Sequence, residues 1–335
     1  MSSPRTWFDQ DISLEFLKNE TMAVIGYGIQ GAAQANNMRD SGLKVVLGLR
    51  KGGNSWNKAL KDGHQVSEIA DAVSRADIVH VLIPDMEQPR VYKAEIEASL
   101  EKGKALGFSH GAAIHWGWIK PPSWIDILMV APKGPGQRVR ELYQQGFGVP
   151  ALVAVHQDYT ARAWPRILGM GKAIGAARAM LIETSFKEEV ESDWFGEQVD
   201  LCGGAQRLIM SSFEVLVEAG YSPEIAYYET LHELKLITDL IQRYGIAGMY
   251  RRVSETARHG GLTRGQRVIG EDVKRRMREI LDEIQSGKYA EEWRKAWETE
   301  GPNAFEKHLR ELDRHPIERV GRELRRRMWP GEDVA

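Results

Sequence analysis

Apolar positions in the first half of the chain fall in short unbroken runs, while in the second half they recur at helical spacing. The runs Thr21–Ile25, Lys44–Leu49, Ile78–Ile83, Ala105–Phe108, Ile125–Val130 and Ala151–Val155 suit strands covered on both faces. Between them, Ala32–Ser41, Val66–Ala76 and Tyr92–Leu100 carry helical patterns, and Arg162–Gly169 begins another helix. Strand–helix alternation predicts right-handed crossovers and a parallel sheet, with ligands at the carboxyl ends of the strands. From Phe186 onward no convincing strand is seen. Phe186–Glu233 reads as two helices, Gly245–Ser254 as a glycine-broken connection, and Gly270–Gln285, Ala290–Glu298 and Pro316–Met328 as further helices. The change of period near Thr184 predicts an α/β domain over 1–184 and an all-helical domain over 185–335.

The first strand runs directly into Gly26-Tyr27-Gly28-Ile29-Gln30-Gly31 and then a helix. This is a dinucleotide fingerprint in its proper setting. Gly26 permits the tight turn, Gly28 lets backbone approach a pyrophosphate, and Gly31 allows close helix–strand packing. The helix N-terminus offers free N–H groups to the phosphates. At the end of the second strand, where an acid would hold a ribose 2′-hydroxyl, the chain has Arg50 and Lys51, followed by Ser55. Two cations and a hydroxyl suit a 2′-phosphate, so NADPH is the expected cofactor. Pro84, and Gly136 in the Pro132–Gly136 loop, fall at later strand ends and join the expected nucleotide site. His110, in Ser109-His110-Gly111, and Lys133, in the same Pro/Gly loop as Gly136, are candidates for the reaction. For His110, a loop residue bonded to backbone is the competing reading.

Two pairs of acids stand out in the helical half. Asp193 and Glu197 are four residues apart, as are Glu229 and Glu233, so each pair shares a helix face. Brought together they would make an oxygen-only cage suited to hard divalent cations, Mg²⁺ above all. The alternative is two solvated acidic faces on amphipathic helices.

Composition narrows the class of function. With 335 residues, 42% hydrophobic and 27% charged, the chain suits a globular protein of two domains. Lys+Arg 45 against Asp+Glu 47 gives no call for nucleic acid or an anionic membrane. The lone Cys202 excludes an intrachain disulfide framework and fits a reducing cytoplasm. The N-terminal residues carry early acids and no apolar signal-peptide core, and no apolar run is long enough to span a bilayer, so a soluble cytoplasmic protein is expected.

The runs GYGIQG, GLRKGGNSW, FSHG, MVAPKGPG, GVPALVAVHQD, ETSFKEEVESDWFGEQ, LCGG, LVEAGYSPEIAYYETLHELKLI, GIAGM and HPIERVGREL together resemble the short-form (class I) ketol-acid reductoisomerases over essentially the whole length. The resemblance implies a Rossmann domain on NADPH followed by an all-helical knotted domain holding two Mg²⁺ ions. It implies alkyl migration in a 2-hydroxy-2-alkyl-3-keto acid of the 2-acetolactate type, then hydride reduction to a 2,3-dihydroxy acid of branched-chain amino-acid synthesis. By resemblance Asp193 bridges the metals, Glu197 completes one, and Glu229 and Glu233 belong to the other. Glu233 also relays a proton, His110 and Lys133 line the metal-bound water and substrate, and Cys202 and Ser254 contact substrate. In the short form two subunits interlock their helical domains, so Glu229, Glu233 and Ser254 would come from the partner of a homodimer, or of a larger assembly.

The chain departs from the family pattern in places. Ile29-Gln30-Gly31-Ala32 stands for a serine-glutamine-glycine-histidine run, Ala112-Ala113 for phenylalanine-asparagine, and Trp118 for glutamine. The loop after GIAGM becomes Arg251–Gly260, with Arg252 and Glu255 new. Ala112 and Ala113 would enlarge the pocket beside the nicotinamide, and Arg252 would add a cation near the substrate carboxylate unless Glu255 pairs with it. The competing functions are therefore a specialised-pathway paralogue acting on another 2-keto acid and a catalytically silent nucleotide-binding protein.

Overall fold

Branched and aliphatic side chains in unbroken runs suit a pleated sheet buried on both faces. In the computed structural model, which describes residues 3–331, nine strands form one sheet. They are β1 (Thr6–Trp7), β2 (Thr21–Ile25), β3 (Lys44–Gly48), β4 (Gln65–Ser67), β5 (Ile78–Val81), β6 (Ala105–Phe108), β7 (Asp126–Pro132), β8 (Ala151–Gln157) and β9 (Leu181–Glu183). Their order is β1-β9-β8-β7-β6-β5-β2-β3-β4. The six strands from β4 to β7 in that order are parallel, as the alternation predicts. β8 turns back antiparallel on β7, β9 runs parallel to β8, and β1 antiparallel to β9. The sheet is Rossmann-like with a mixed edge. β1, β4 and β9 are too short to leave a periodic signal, and β4 takes up the start of the stretch 66–76 that reads as helical.

Alternate residues of β2 explain the unbroken runs. Met22 and Val24 pack with Leu47 and Ile78 on one face, while Ala23 and Ile25 pack with Val46, Val79 and Val81 on the other. From β2 the chain winds to β3 and β4 on one side, then crosses to β5, β6 and β7 on the other. That reversal between β2 and β5 opens a crevice at the carboxyl ends of the strands. The helix α1 (Ile29–Asp40) follows β2 and α2 (Asn54–Lys61) follows β3. At the opposite end a buried ion network ties the sheet. The Arg166 guanidinium donates to Glu20 at 2.7 Å and to Asp126 at 2.8 Å, and Asp126 also accepts from the backbone of Tyr159 and Thr160.

The chain divides into two units, Met1–Ser192 and Asp193–Ala335, the division falling within the helix Phe186–Gly196. The described part of the second unit is helical. Its core is small: Phe213, Ala226, Tyr227, Ile317, Val320 and Leu324. Gly321 seats on Tyr227, where an added Cβ would stand 2.5 Å from the ring. Each acid-bearing helix contains a wider π-helical turn, at Glu197–Leu201 and at Tyr228–His232. The sequence reads these as ordinary helix, because the extra residue of a wide turn rotates the apolar face once and leaves helical spacing intact on either side. Gly203 and Gly204 explain LCGG: a Cβ on either would collide with the carbonyl of Gln198 or Val199 as the helix leaves the wide turn.

Candidate active site

The glycine turn after β2 has the geometry its residue types require. Gly26 has φ +102, and an added Cβ would lie 2.7 Å from the Leu82 carbonyl oxygen. On Gly31 a Cβ would lie 2.4 Å from Gly26 O, so that glycine admits α1 against the turn. Gly28 differs, since a Cβ there would meet nothing within 4 Å. No protein packing demands glycine at this position, but an approaching pyrophosphate would. Gly28 also caps α1 without a side-chain acceptor, leaving the first N–H groups to a ligand.

A cleft of about 740 Å³ opens here, lined by Gly26, Tyr27, Gly28, Arg50, Ser55 and Pro84 among others. Six of the expected nucleotide residues thus line one cleft. Lys51 is exposed and does not line it, and Gly136 lies elsewhere, where a Cβ would stand 2.7 Å from the Ile29 backbone. Glu87, Arg90 and Glu95 also line the cleft, and Arg90 pairs with Glu87 at 2.6 Å. No sequence signal marked these three, because helical acids and bases are common on any surface. The Tyr27 hydroxyl donates to Asp62 at 2.8 Å; burial and then that carboxylate push its pKa up to about 12.

The loops after β6 and β7 bring His110 and Lys133 to one carboxylate, Glu189, which the sequence reading overlooked. His110 Nδ1 lies 3.1 Å from Glu189 Oε2, Lys133 Nζ donates to Oε1 at 2.9 Å, and the Gly111 amide donates to Oε2 at 2.8 Å. Glu189 is 1% exposed. Burial pushes its carboxyl up, but the hydrogen bond and charge of His110, together with Lys133, outweigh burial and hold it at about 2. As an acceptor-only carboxylate it makes Nδ1 the donating nitrogen of His110. Gly111 is glycine for a steric reason, since a Cβ would lie 2.4 Å from the Phe186 carbonyl oxygen. A signal for Glu189 did exist: it sits one helical turn before Asp193.

The four metal-site candidates are held differently. Asp193 is half-buried near the end of its helix, and Glu197 is exposed at the start of the first wide turn. Glu229 lies within the second wide turn and Glu233 just after it, both bordering a groove with Ile209, Leu234 and Ile237. Among the described residues, no cluster of three or more metal-ligating groups includes Glu197, Glu229 or Glu233. Wide turns inserted in α-helices are frequent at functional sites. The donor set, carboxylate oxygen throughout, fits Mg²⁺.

Cys202 is exposed just after the first wide turn. Ser254 caps the helix Glu255–Val268, its hydroxyl accepting from the Ala257 amide at 3.2 Å. Two expectations about the departures need revision. Ala112 and Ala113 have essentially no exposed surface, and Ala113 belongs to the apolar cluster on one face of the sheet, so neither opens a pocket. Arg252 stacks 3.7 Å over the Tyr244 ring and donates to Gly248 O at 3.0 Å, so its cation is engaged locally.

Comparison with known proteins identifies the family. Residues 16–180 match the family model described as acetohydroxy acid isomeroreductase, NADPH-binding domain, and residues 186–329 match that of the ketol-acid reductoisomerase C-terminal domain. The chain is 62% identical over 97% of its length to "Ketol-acid reductoisomerase (NADP(+))" of Cenarchaeum symbiosum, covering 98% of that protein. It is 56% identical over 96% of its length to the protein of the same name from Methanopyrus kandleri, covering 97% of it. A solved NADH-preferring ketol-acid reductoisomerase from an uncultured archaeon superposes with TM-score 0.93 at 44% identity, over 97% of this chain and 99% of that one. With a nucleotide turn, a carboxylate-held lysine–histidine pair and matches spanning both halves, the chain belongs to the ketol-acid reductoisomerase family.

Proposed function

We propose that the protein is an NADPH-using, Mg²⁺-dependent ketol-acid reductoisomerase acting on a 2-hydroxy-2-alkyl-3-keto acid of the 2-acetolactate type, in branched-chain amino-acid synthesis. The observation that carries this reading is the Glu189 carboxylate holding His110 and Lys133 at the carboxyl edge of the sheet. Over the reaction the substrate loses its C2 hydroxyl proton, moves an alkyl group from C2 to C3, gains a proton on the C3 oxygen, and is reduced at C2 by hydride plus a proton. NADPH would lie in the cleft lined by Gly26, Gly28, Arg50 and Ser55, and it supplies the hydride. Arg50 and Ser55 favour a 2′-phosphate by charge and hydrogen bonding, which argues for NADPH although the solved relative is described as NADH-preferring. Asp193, Glu197, Glu229 and Glu233 would hold two Mg²⁺, which acidify a hydroxyl and polarise a ketone.

This chain's own groups handle orientation and protons. Glu189, ionised down to about pH 2, keeps Lys133 charged and pointed, so Nζ can donate to a substrate oxygen as negative charge develops there. His110 is fixed in ring orientation by the same carboxylate. Glu233, at the mouth of its groove, is the proton relay in this reading.

The two acid pairs do not converge among the described residues of one chain, and the second unit leaves Leu201, Val215, Ile246 and Leu262 more than half exposed. Both facts support a homodimer with interlocked helical units, in which one chain's Asp193 and Glu197 meet the other's Glu229 and Glu233. The departures at Ala112, Ala113 and Arg252 are absorbed by packing, which favours the ordinary substrate class over a new one. No helix among the described residues is long and apolar enough to cross a membrane. A cytoplasmic setting fits the single, exposed Cys202. The test is NADPH oxidation with 2-acetolactate and Mg²⁺, followed by nicotinamide absorbance. Oxidation dependent on all three components is expected. Activity on 2-keto acids alone would reduce the protein to a reductase, and no activity on either would sink the reading.

A further inference from the structure

Ser109 precedes His110, Gly134 follows Lys133, and one hydrogen-bonded chain, buried at Gln34 and His80 and half-buried at Gln30 and Ser109, touches both. Gln30 and Gln34 lie one turn apart on α1, the helix that begins at the nucleotide turn. The Gln30 amide donates to the Gly134 carbonyl at 3.0 Å. The Gln34 amide donates to Gln30 Oε1 at 3.1 Å and to Ser109 Oγ at 3.0 Å. His80, on β5, reaches Gln34 Oε1 from Nε2 at 2.9 Å. Gln34 and His80 are both 0% exposed.

The direction of every bond in this chain follows from one backbone group. Gly134 O can only accept, so Gln30 must turn its NH₂ toward it and its oxygen toward Gln34. Gln34 must then present NH₂ to Gln30 and its own oxygen to His80, which leaves Nε2 of His80 as the donor. Burial holds that imidazole neutral by pushing its pKa down to about 4, against a smaller opposing pull from the Gly107 backbone. Gly107 is shaped to this neighbour, since a Cβ there would stand 3.0 Å from His80 Nδ1. A buried primary amide using both N–H groups and its oxygen has one favoured orientation, because any rotation strands a polar group away from water.

We propose that Gln34, oriented by His80, is a positioning residue that fixes the loops bearing His110 and Lys133 relative to the dinucleotide turn. Gln34 touches the His110 loop directly and the Lys133 loop through Gln30. It is anchored to the central sheet by His80 and stands on the helix whose first turn would receive the pyrophosphate. It thereby sets the separation between the cofactor and the pair His110 and Lys133. The proposal rests on the reductoisomerase reading for its kinetic consequence, but not for its geometric one.

The test compares the parent with Gln34→Met, which keeps side-chain length but removes the hydrogen bonds, and with His80→Leu and His80→Gln. Gln34→Met should lower kcat on 2-acetolactate by on the order of 10- to 100-fold, the penalty of misplacing reacting groups by about an ångström. KM for NADPH should hardly change. His80→Leu should follow it, and His80→Gln, which retains a donor toward Gln34, should recover most of the loss. Independently of turnover, ¹⁵N spectra of the histidine rings should show His80 protonated at Nε2, and Gln34→Met should shift the His110 resonances. Parent-level kcat and unmoved His110 signals in a folded Gln34→Met protein would overturn the proposal. Equal loss of kcat and NADPH affinity would also overturn it, by marking general damage. If Gln34→Met does not fold, Ser109→Ala decides, because it removes the hydroxyl that joins the His110 loop to Gln34 and His80 while leaving the Gln34–Gln30 and Gln34–His80 bonds in place; unchanged kcat and ring spectra there would count against the proposal. An inactive parent would defeat the reductoisomerase reading, while the ring spectra would still decide the geometric claim.

Discussion

The two units of the chain solve the burial problem differently. In the first, both faces of the sheet are filled, and its chief charged groups, Arg166 and Glu189, are buried with partners at hydrogen-bond distance. In the second, a core of few residues supports long helices that leave Leu201, Val215, Ile246 and Leu262 open, and Glu197, Glu229 and Glu233 border a groove or face solvent. A unit with a filled two-faced core and its buried charges paired within one chain can stand largely on its own. A unit that exposes apolar stripes together with Glu197, Glu229 and Glu233 is one for which the proposed dimer would supply partners. The nucleotide cleft belongs to the first kind and the proposed metal site to the second, so perturbations should separate them.

The largest separation is expected from Asp193→Asn. This change should abolish turnover while leaving NADPH affinity nearly intact, measured by titrating nicotinamide fluorescence. Joint loss of both would break the division. Co-expressing Asp193→Asn with Glu233→Gln sharpens it, because a dimer that shares sites should regain activity in mixed assemblies. Proven mixed dimers without any recovery would favour a site built within one chain.

Next in size is the loss of Arg166, the buried cation of the first unit. Arg166→Leu strands Glu20 and Asp126, and breaking a buried pair by removing one partner costs about 3–5 kcal/mol. Chemical denaturation should show a matching drop, whereas Val215→Ser in the second unit should leave the first unit's unfolding unmoved. Comparable losses from both would show that the first unit has no independent stability.

Acid should also discriminate. His64 and His80, both in the first unit, are held near 4 by burial, with Arg39 adding to the effect at His64. For a base with a depressed folded pKa, the neutral form is favoured by the fold. The associated stability is present above the ordinary value of 6.5 and is lost as pH falls from there toward 4. Glu189 works lower: its stabilisation is full above 4.5 and disappears as pH falls through about 2, roughly 3 kcal/mol in all. Thermal melts should therefore lose stability between about pH 6.5 and 4, and His80→Gln should flatten that slope. An unchanged slope would mean that His80 charges without penalty.

The sequence showed the sheet because buried parallel strands are apolar without interruption, and the nucleotide turn because glycine is imposed there by collisions and by an open cradle. It hid β4 and β9, whose length carries no period, and the two wide turns, whose single extra residue leaves helical spacing intact on either side. Glu189 carried only the weak signal of lying one helical turn before Asp193, and in a run with Glu188 and Glu191 that spacing does not say which acid will hold distant cations. Its distinction comes from His110 and Lys133, brought in by loops far away in sequence. Arg252 misled in the opposite direction, since a new cation suggests a ligand while the adjacent Tyr244 ring can hold it.

Cofactor choice gives a moderate, local effect. Replacing Arg50 and Ser55 by Asp should turn preference from NADPH toward NADH, because a 2′-phosphate would then face carboxylates in the cleft. A charge-assisted hydrogen bond is worth about 1.5–3 kcal/mol, so at least a tenfold change in the ratio of kcat/KM values is expected. The same double change should leave second-unit properties, assembly included, untouched. An unaltered ratio would move the 2′-phosphate contact away from β3.

Arg252→Ser should have the smallest effect, and it tests whether a departure from the family pattern is functional or merely local. The guanidinium sits over Tyr244 and bonds Gly248 O, both within a helical turn or two of its own backbone. Cation–π contact at an exposed site is worth about 0.5–1 kcal/mol, so a slight fall in Tm is expected. Arg252 stands two residues before Ser254, whose hydroxyl is already engaged as a helix cap. The serine variant lacks the stacking group but keeps that cap, so KM and kcat for 2-acetolactate should stay at parent values. If KM instead improved markedly in Arg252→Ser, the arginine would be acting on substrate in the assembled enzyme. Its stacking on Tyr244 would then be a resting position rather than its working one.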